Sequence, residues 1–429
     1  MSAPEYIVRN VLWHNQAMDL LVDQGTIQGL VPVEQGKEIT PQSHAKDGHG
    51  VWLFPSLIDA HVHLREPGQE YKETIASGLH AALGGGFGQV MCMANTDPVN
   101  DRAQITEYIL DTALRACPHG PRIRPVGALT KGLAGKELAP MAELAAAGCV
   151  ALSNDGMPVG DNDLFRRAME YASDLGLKII DHCEDPALSG HGVMNEGVVS
   201  GRLGLKGSPT VAESLQVARD ILLSEYLHIP IHLAHISCKE SVDLILFAKE
   251  KGIQVTAETC AHYLLWDETM LEGYNTLAKV HPPLRTREDV LALRHAVQQG
   301  VIDILVTDHA PHADFEKETT LDEAPNGISG LDTALSLYAS LVEKKVITQD
   351  DIVTRCALRP AEIFHLPVNT FTPGDRADFV LFDPKICWEV TPSSLLSKGK
   401  NTPCMGMNLQ GKVSAQYLEG KLVYSTDTK

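Results

Sequence analysis

Eight short apolar runs rich in β-branched residues recur along this chain, each ending in polar side chains and followed by a helix-like stretch. They cover residues 51–64, 88–96, 123–130, 149–155, 177–184, 230–237, 254–262 and 303–309. Between them, segments such as 162–174 and 239–251 space their apolar residues three and four apart, as a helix with one buried face does. Strands that alternate with helices build parallel sheet, and parallel strands covered on both faces read as unbroken apolar runs. Eight such units in about 250 residues fit a closed barrel better than an open doubly wound sheet. The fold class is therefore α/β, a (β/α)8 TIM barrel. The two ends follow another pattern. Residues 6–31 and 377–424 hold short alternating segments broken by turn residues such as Gly25, Pro384 and Gly420. They are expected to form one small flanking β domain, residues 1–50 with 370–429, around a barrel of residues 51–369. Linkers are expected near 41–50 and 366–374, where Pro, Gly and Ser cluster.

Composition narrows the functional classes. With 36 Lys+Arg against 55 Asp+Glu, the net charge of −19 argues against a nucleic-acid partner or an anionic membrane surface. No run of about 18 apolar residues is present, nor an early basic-then-apolar leader. The nine cysteines are odd in number, scattered and free of any CxxC pair, which suits reduced thiols in a reducing cytosol. The expectation is a soluble cytoplasmic protein acting on a small molecule.

The chemistry lies at the ends of the runs. His61 and His63 stand two apart, and on a strand such residues share a face about 6.6 Å apart, so both imidazoles can turn to one cation. Alone, an HxH pair is weak evidence. However, His182, His235, Asp155 and Asp308 also end runs, and a barrel places those ends at one mouth. Four imidazoles and two carboxylates exceed one open catalytic zinc and suit two metals with a bridging carboxylate. Chance placement of six such residues at five strand ends is improbable. His232, three before His235, faces the other way and reads as structural, while His14, His44, His80, His119 and His365 lack any ligand-like setting. Residues 84–88 (GGGFG) read as a helix-to-strand turn, and Thr286 with Asp289 as a capping box.

Through these residues and the motifs around them, the chain resembles dihydroorotases of the class I bacterial type, within the metal-dependent amidohydrolase superfamily. The resemblance rests on Asp59-Ala-His-Val-His-Leu-Arg-Glu-Pro-Gly68, Met93-Ala-Asn-Thr-Asp-Pro98, Asp181-His-Cys-Glu-Asp185 and Thr307-Asp-His-Ala-Pro-His312. Asn326-Gly-Ile-Ser-Gly-Leu-Asp332 and Ser397-Lys-Gly-Lys-Asn-Thr-Pro403 extend it along nearly the whole chain. It implies a site of one or two Zn2+ ions with His61, His63, Asp155, His182, His235 and Asp308 as ligands. Asp155 would stand where many superfamily members carry a carboxylated lysine. The implied reaction is the reversible cyclisation of N-carbamoyl-L-aspartate to L-dihydroorotate in pyrimidine biosynthesis, with metal-activated hydroxide as nucleophile and Asp308 as general base and then acid. Arg65 lies two residues past His63, hence on the same face, and can fork onto the substrate carboxylate. Asn95, His281, His312, Asn326 and Gly327 match further substrate-binding positions. A homodimer and association with aspartate transcarbamoylase are also implied.

Three features depart from that pattern. His281 stands where asparagine is expected, Asn154 replaces an aspartate, and residues 259–263 (TCAHY) look more like hydantoinases and allantoinases. Two alternatives therefore stand beside the first reading: another cyclic amidase of those kinds, or a non-catalytic partner of aspartate transcarbamoylase. The missing strand-four lysine and Arg65-Glu-Pro-Gly68 favour dihydroorotase over the former. The six retained ligands count against the latter.

Overall fold

A computed structural model describes residues 3–426. The chain opens with β1 (Tyr6–Trp13), β2 (Gln16–Asp23), β3 (Thr26–Pro32), β4 (His44–Asp47) and β5 (Trp52–Pro55). Five strands of a second sheet follow: β6 (Leu57–Val62), β7 (Phe87–Cys92), β8 (Arg122–Ala128), β9 (Ala151–Ser153) and β10 (Lys178–Asp181). A two-residue pair, β11 (Met194–Asn195) and β12 (Gly207–Ser208), sits in the next loop. The second sheet then resumes with β13 (Ile231–Leu233), β14 (Val255–Cys260) and β15 (Ile304–Val306), and the chain ends with β16 (Phe379–Glu389), β17 (Asn408–Leu418) and β18 (Lys421–Ser425).

Each of the eight apolar runs overlaps one strand of the second sheet, which is parallel throughout and ordered β6-β7-β8-β9-β10-β13-β14-β15. Its edges meet: Val62 bridges His309 in parallel, and the His63 N–H donates to the His309 carbonyl at 2.8 Å. This is the expected (β/α)8 barrel. One continuous apolar core fills the barrel and the space beneath its helices. The glycine-rich stretch is the expected turn, since the helix Ile75–Gly85 stops at Gly86, whose φ of 86° is left-handed, and β7 begins at Phe87. Thr286 and Asp289 form the expected capping box on Arg287–Gln298.

Both chain ends join in a sheet ordered β18-β17-β16-β5-β1-β2-β3, with β4 beside β1. Tyr6, Leu20, Ile27, Leu53, Phe379 and Tyr417 share its small core. Two details differ from the sequence reading. The first apolar run is divided, because β5 pairs with β16 and only β6 enters the barrel. The switch takes two residues: the Ser56 N–H bonds to Asp378 and the Leu57 N–H to Gly86. Part of the expected 41–50 linker is strand β4, parallel to β1; exposed polar side chains such as His44 and Asp47 mask it in the sequence. Among the described residues no helix is long and apolar enough to cross a membrane.

The barrel end opposite the six candidate residues is tied by Asp303, just before β15. Its buried carboxylate accepts from Lys249 Nζ at 2.6 Å, the Ala257 N–H at 2.9 Å and Arg359 at 2.9 Å. Removing the anion takes the carboxylate from Lys249 and from the Ala257 N–H, while Arg359 keeps its pairing with Glu362. Asp303→Asn should lower the unfolding free energy by about 3 kcal/mol, read from denaturant or thermal unfolding. An unchanged midpoint would contradict this.

Candidate metal centre

The six candidates all sit at the C-terminal ends of barrel strands. His61 lies within β6, His63 and His182 follow β6 and β10 directly, and Asp155, His235 and Asp308 lie two residues beyond β9, β13 and β15. All six are buried. His235 and Asp308 take positive φ angles of 30° and 47°, which turn their side chains over the barrel mouth at some backbone strain. Asp59 braces the second turn, accepting from the Thr307 hydroxyl at 2.6 Å and its N–H at 3.2 Å.

Asp155 is the centre of the cluster. Its Oδ1 lies 3.4 Å from His61 Nε2, His182 Nδ1 and His235 Nε2, and its Oδ2 lies 3.5 Å from His63 Nε2. Asp308 Oδ1 reaches His63 Nε2 at 3.2 Å and His61 Nε2 at 3.7 Å. Two triads result, His61/His63/Asp155 and Asp155/His182/His235, each with donor atoms within 4.8 Å of one another and with Asp155 common to both. His61 Nε2 faces into this cluster with no hydrogen-bond partner, an unusual state for a buried nitrogen. Imidazole and carboxylate donors in this arrangement fit one or two divalent cations.

Electrostatics follow from the crowding. Burial opposes charge on Asp155, but His61, His182 and His235 outweigh it and hold the carboxyl well below the ordinary Asp value. Burial likewise opposes charge on His61, and Asp155 with Glu258 overcomes it, so its pKa lies well above the usual imidazole value. His182 is pushed up to about 10 because Asp155 and Glu184 outweigh its burial. His63 is lowered, chiefly by burial and with Arg65 adding to it. Asp308 remains below its ordinary value since His63 and His61 counter the cost of burial.

A cavity of about 200 Å3 opens over the cluster, lined in part by Arg65, Asn95, His281, His312, Asn326 and Gly327. It is smaller than the pockets of about 300–1,000 Å3 that take drug-sized ligands and suits one small ring. The six residues that the resemblance implies as substrate-binding therefore line this one cavity. Arg65 is buried, and its Nε donates to the Pro311 carbonyl at 3.2 Å. The Arg65-Glu-Pro-Gly68 turn interlocks with the Asn95 segment. A Cβ on Gly68 would stand 1.8 Å from the Asp97 carbonyl oxygen, and the Asp97 N–H bonds to Pro67. Asn95 touches the cluster directly: its Oδ1 accepts from His63 Nδ1 at 2.7 Å. Gly327, at φ 142°, has no room for a Cβ beside the Ala310 carbonyl.

The departures acquire physical reasons. His281 stacks on His182 with ring centroids 5.2 Å apart and donates from Nε2 to Glu184 at 2.7 Å. Asn154 accepts from the Thr130 N–H and hydroxyl and donates to the Leu133 and Met157 carbonyls; a carboxylate could not donate. Several residues at the site escaped the sequence reading. Glu258 accepts from His61 Nδ1 at 2.7 Å, and its signal was a carboxylate inside an apolar run. Asn401, inside the C-terminal motif, bonds to Ala310, Gly327 and His312. Lys279 and Lys317 give their ammonium groups to carbonyls of the loop before Asn326.

Comparison with known proteins agrees with this geometry. A family model described as dihydro-orotase-like matches residues 50–241. A dihydroorotase from Syntrophus aciditrophicus (strain SB) is 46% identical over 410 residues, covering 96% of this chain and 95% of that protein. One from Geobacter metallireducens is 45% identical over 412 residues, covering 96% of each. The solved structure of an L-hydantoinase from Arthrobacter aurescens superposes with a TM-score of 0.85, covering 98% of this chain and 96% of that chain. At 21% identity that likeness speaks for the fold alone.

Protons and a divalent cation compete for these imidazoles. Asp155 with Glu258 raises the pKa of His61, and Asp155 with Glu184 that of His182, so a cation binding there must displace protons. Zinc binding should therefore release protons, and its apparent affinity should rise between pH 6 and 8. Titration calorimetry in buffers of different ionisation enthalpy reads both, and binding without proton release would contradict the account.

Proposed function

The chain belongs to the dihydroorotase family, and from that premise we propose that His61, His63, Asp155, His182, His235 and Asp308 hold one or two zinc ions at the active site. The observation that carries this reading is Asp155 standing between two pairs of imidazoles beneath a cavity that also holds a buried arginine. The chain is an enzyme, a dihydroorotase, and its reaction is the reversible ring closure of N-carbamoyl-L-aspartate to L-dihydroorotate.

A bound zinc supplies Lewis-acid polarisation of the amide carbonyl and lowers the pKa of water. The protein's own groups do the rest. Asp308, an ionised carboxylate on the cavity wall, takes a proton from the attacking water and returns it to the departing ring nitrogen. In the biosynthetic direction the two transfers reverse. Hydrolysis releases a carboxylic acid that ionises, so lower pH favours ring closure. Arg65 presents a planar cation to the substrate carboxylate, with little water to compete for it. His312 lies under 4 Å from that guanidinium and is kept neutral by burial and by the cation, so it contributes hydrogen bonds without charge. Asn95, His281 and the main chain at Asn326 and Gly327 complete the pocket.

The active form we propose is a cytoplasmic homodimer that associates with aspartate transcarbamoylase. Val211, Leu215, Leu222 and Tyr226 are exposed along one face of the helix Thr210–Leu227, an apolar stripe suited to such contacts. The nine cysteines, all unpaired and mostly buried, accord with a reducing compartment.

Steady-state rates with dihydroorotate, a hydantoin and allantoin test the substrate. Brisk turnover of a hydantoin with none of dihydroorotate would overturn the assignment. Asp308→Asn should lower kcat by roughly 10²–10⁴-fold, with zinc content measured alongside. Arg65→Lys keeps the charge but loses the fork, so KM for dihydroorotate should rise about tenfold or more while kcat changes less. A KM unchanged in Arg65→Lys would remove Arg65 from carboxylate binding.

A further inference from the structure

Glu258 lies on β14, fully buried in the barrel interior beneath the metal centre. A carboxylate there is costly unless donors surround it. Three do. Oε1 accepts from His61 Nδ1 at 2.7 Å and from the main-chain N–H of His235 at 3.3 Å. Oε2 accepts from His232 Nε2 at 3.0 Å. His232 is held in turn by the Thr256 hydroxyl, which stands 2.8 Å from its Nδ1. His232, which the sequence alone reads as structural, is thus the support of a site carboxylate.

We propose that Glu258 is a positioning residue that holds one ligand from each half of the metal centre. On one side it keeps the Nδ1 proton of His61, which leaves Nε2 as the coordinating atom. On the other it ties down the main chain of His235, where the backbone takes a positive φ. The four imidazoles are not backed equally. Nδ1 of His63 meets the neutral amide of Asn95 at 2.7 Å, His182 Nε2 lies 3.6 Å from a Glu184 already bonded to His281, and His235 Nδ1 has no partner. Among the described residues, His61 is the one ligand backed by a carboxylate at close hydrogen-bond distance. A full negative charge behind an imidazole strengthens its donation to a cation. Loss of Glu258 therefore weakens metal retention while leaving substrate binding intact, because Glu258 does not line the cavity.

This inference rests on the metal-centre reading, and the test separates the two. Zinc dissociation constants are measured by competition with a chromophoric chelator for wild type, Glu258→Gln, Glu258→Asp and the remote Asp303→Asn. Glu258→Gln keeps size and a hydrogen-bond acceptor but loses the charge; it should bind zinc about 10–100-fold more weakly. KM at saturating zinc should stay within about twofold of wild type. Glu258→Asp should recover part of the affinity, whereas Asp303→Asn should lose stability with zinc affinity unchanged. Folded Glu258→Gln protein that binds zinc as tightly as wild type, or equal weakening in Asp303→Asn, would overturn the role of Glu258. A wild-type chain that binds no zinc would instead overturn the metal centre. Should Glu258→Gln fail to fold, imidazole 15N shifts of the zinc-loaded wild type decide: a protonated His61 Nδ1 supports the proposal and a bare Nδ1 refutes it.

Discussion

The carboxylate of Asp155, set between four buried imidazoles, is the contact on which the rest of the site depends. No short segment of chain can build it. His61 and His63 come from the end of β6, His182 from β10 and His235 from β13, and Asp155 itself follows β9. Only a closed parallel barrel brings four strand ends so far apart in sequence to one mouth. Burial of all six side chains limits their contact with bulk water, which strengthens the charge interactions among them. The same burial makes each carboxylate and imidazole depend on its neighbours for its charge.

Around this centre the cavity wall is built from interlocked loops. Arg65-Glu-Pro-Gly68 packs on the segment after β7, and the C-terminal motif reaches back through Asn401 to fasten both Ala310 and Gly327. Ser397 Oγ bonds to Glu73, so the segment after the barrel also holds the approach to the helix Ile75–Gly85. Motifs hundreds of residues apart in sequence are thus one structure. The C-terminal segment therefore serves the site as well as its own sheet.

The barrel was legible because its strands are buried on both faces and so read as apolar runs, while each polar end marks the catalytic mouth. The six clustered residues were legible for the same reason. Strand β4 was not, since its side chains are mostly exposed and polar and its place is set by main-chain pairing with β1. The division of the first run between β5 and β6 was hidden as well: both halves are equally apolar, and only their partners distinguish them. Glu258 was passed over, and His232 was read as structural without its partner, because pairing across neighbouring strands depends on register, which a single sequence does not display. Asn154 and His281 depart from the family pattern and prove to have local partners of their own.

The central claim is that these six side chains meet on a divalent cation, and anomalous diffraction at the zinc edge from zinc-loaded crystals tests it most directly. The account predicts one or two peaks within coordination distance of Asp155 and flanked by His61, His63, His182 and His235. Zinc located only elsewhere on the molecule, with these side chains still hydrogen-bonded among themselves, would contradict it.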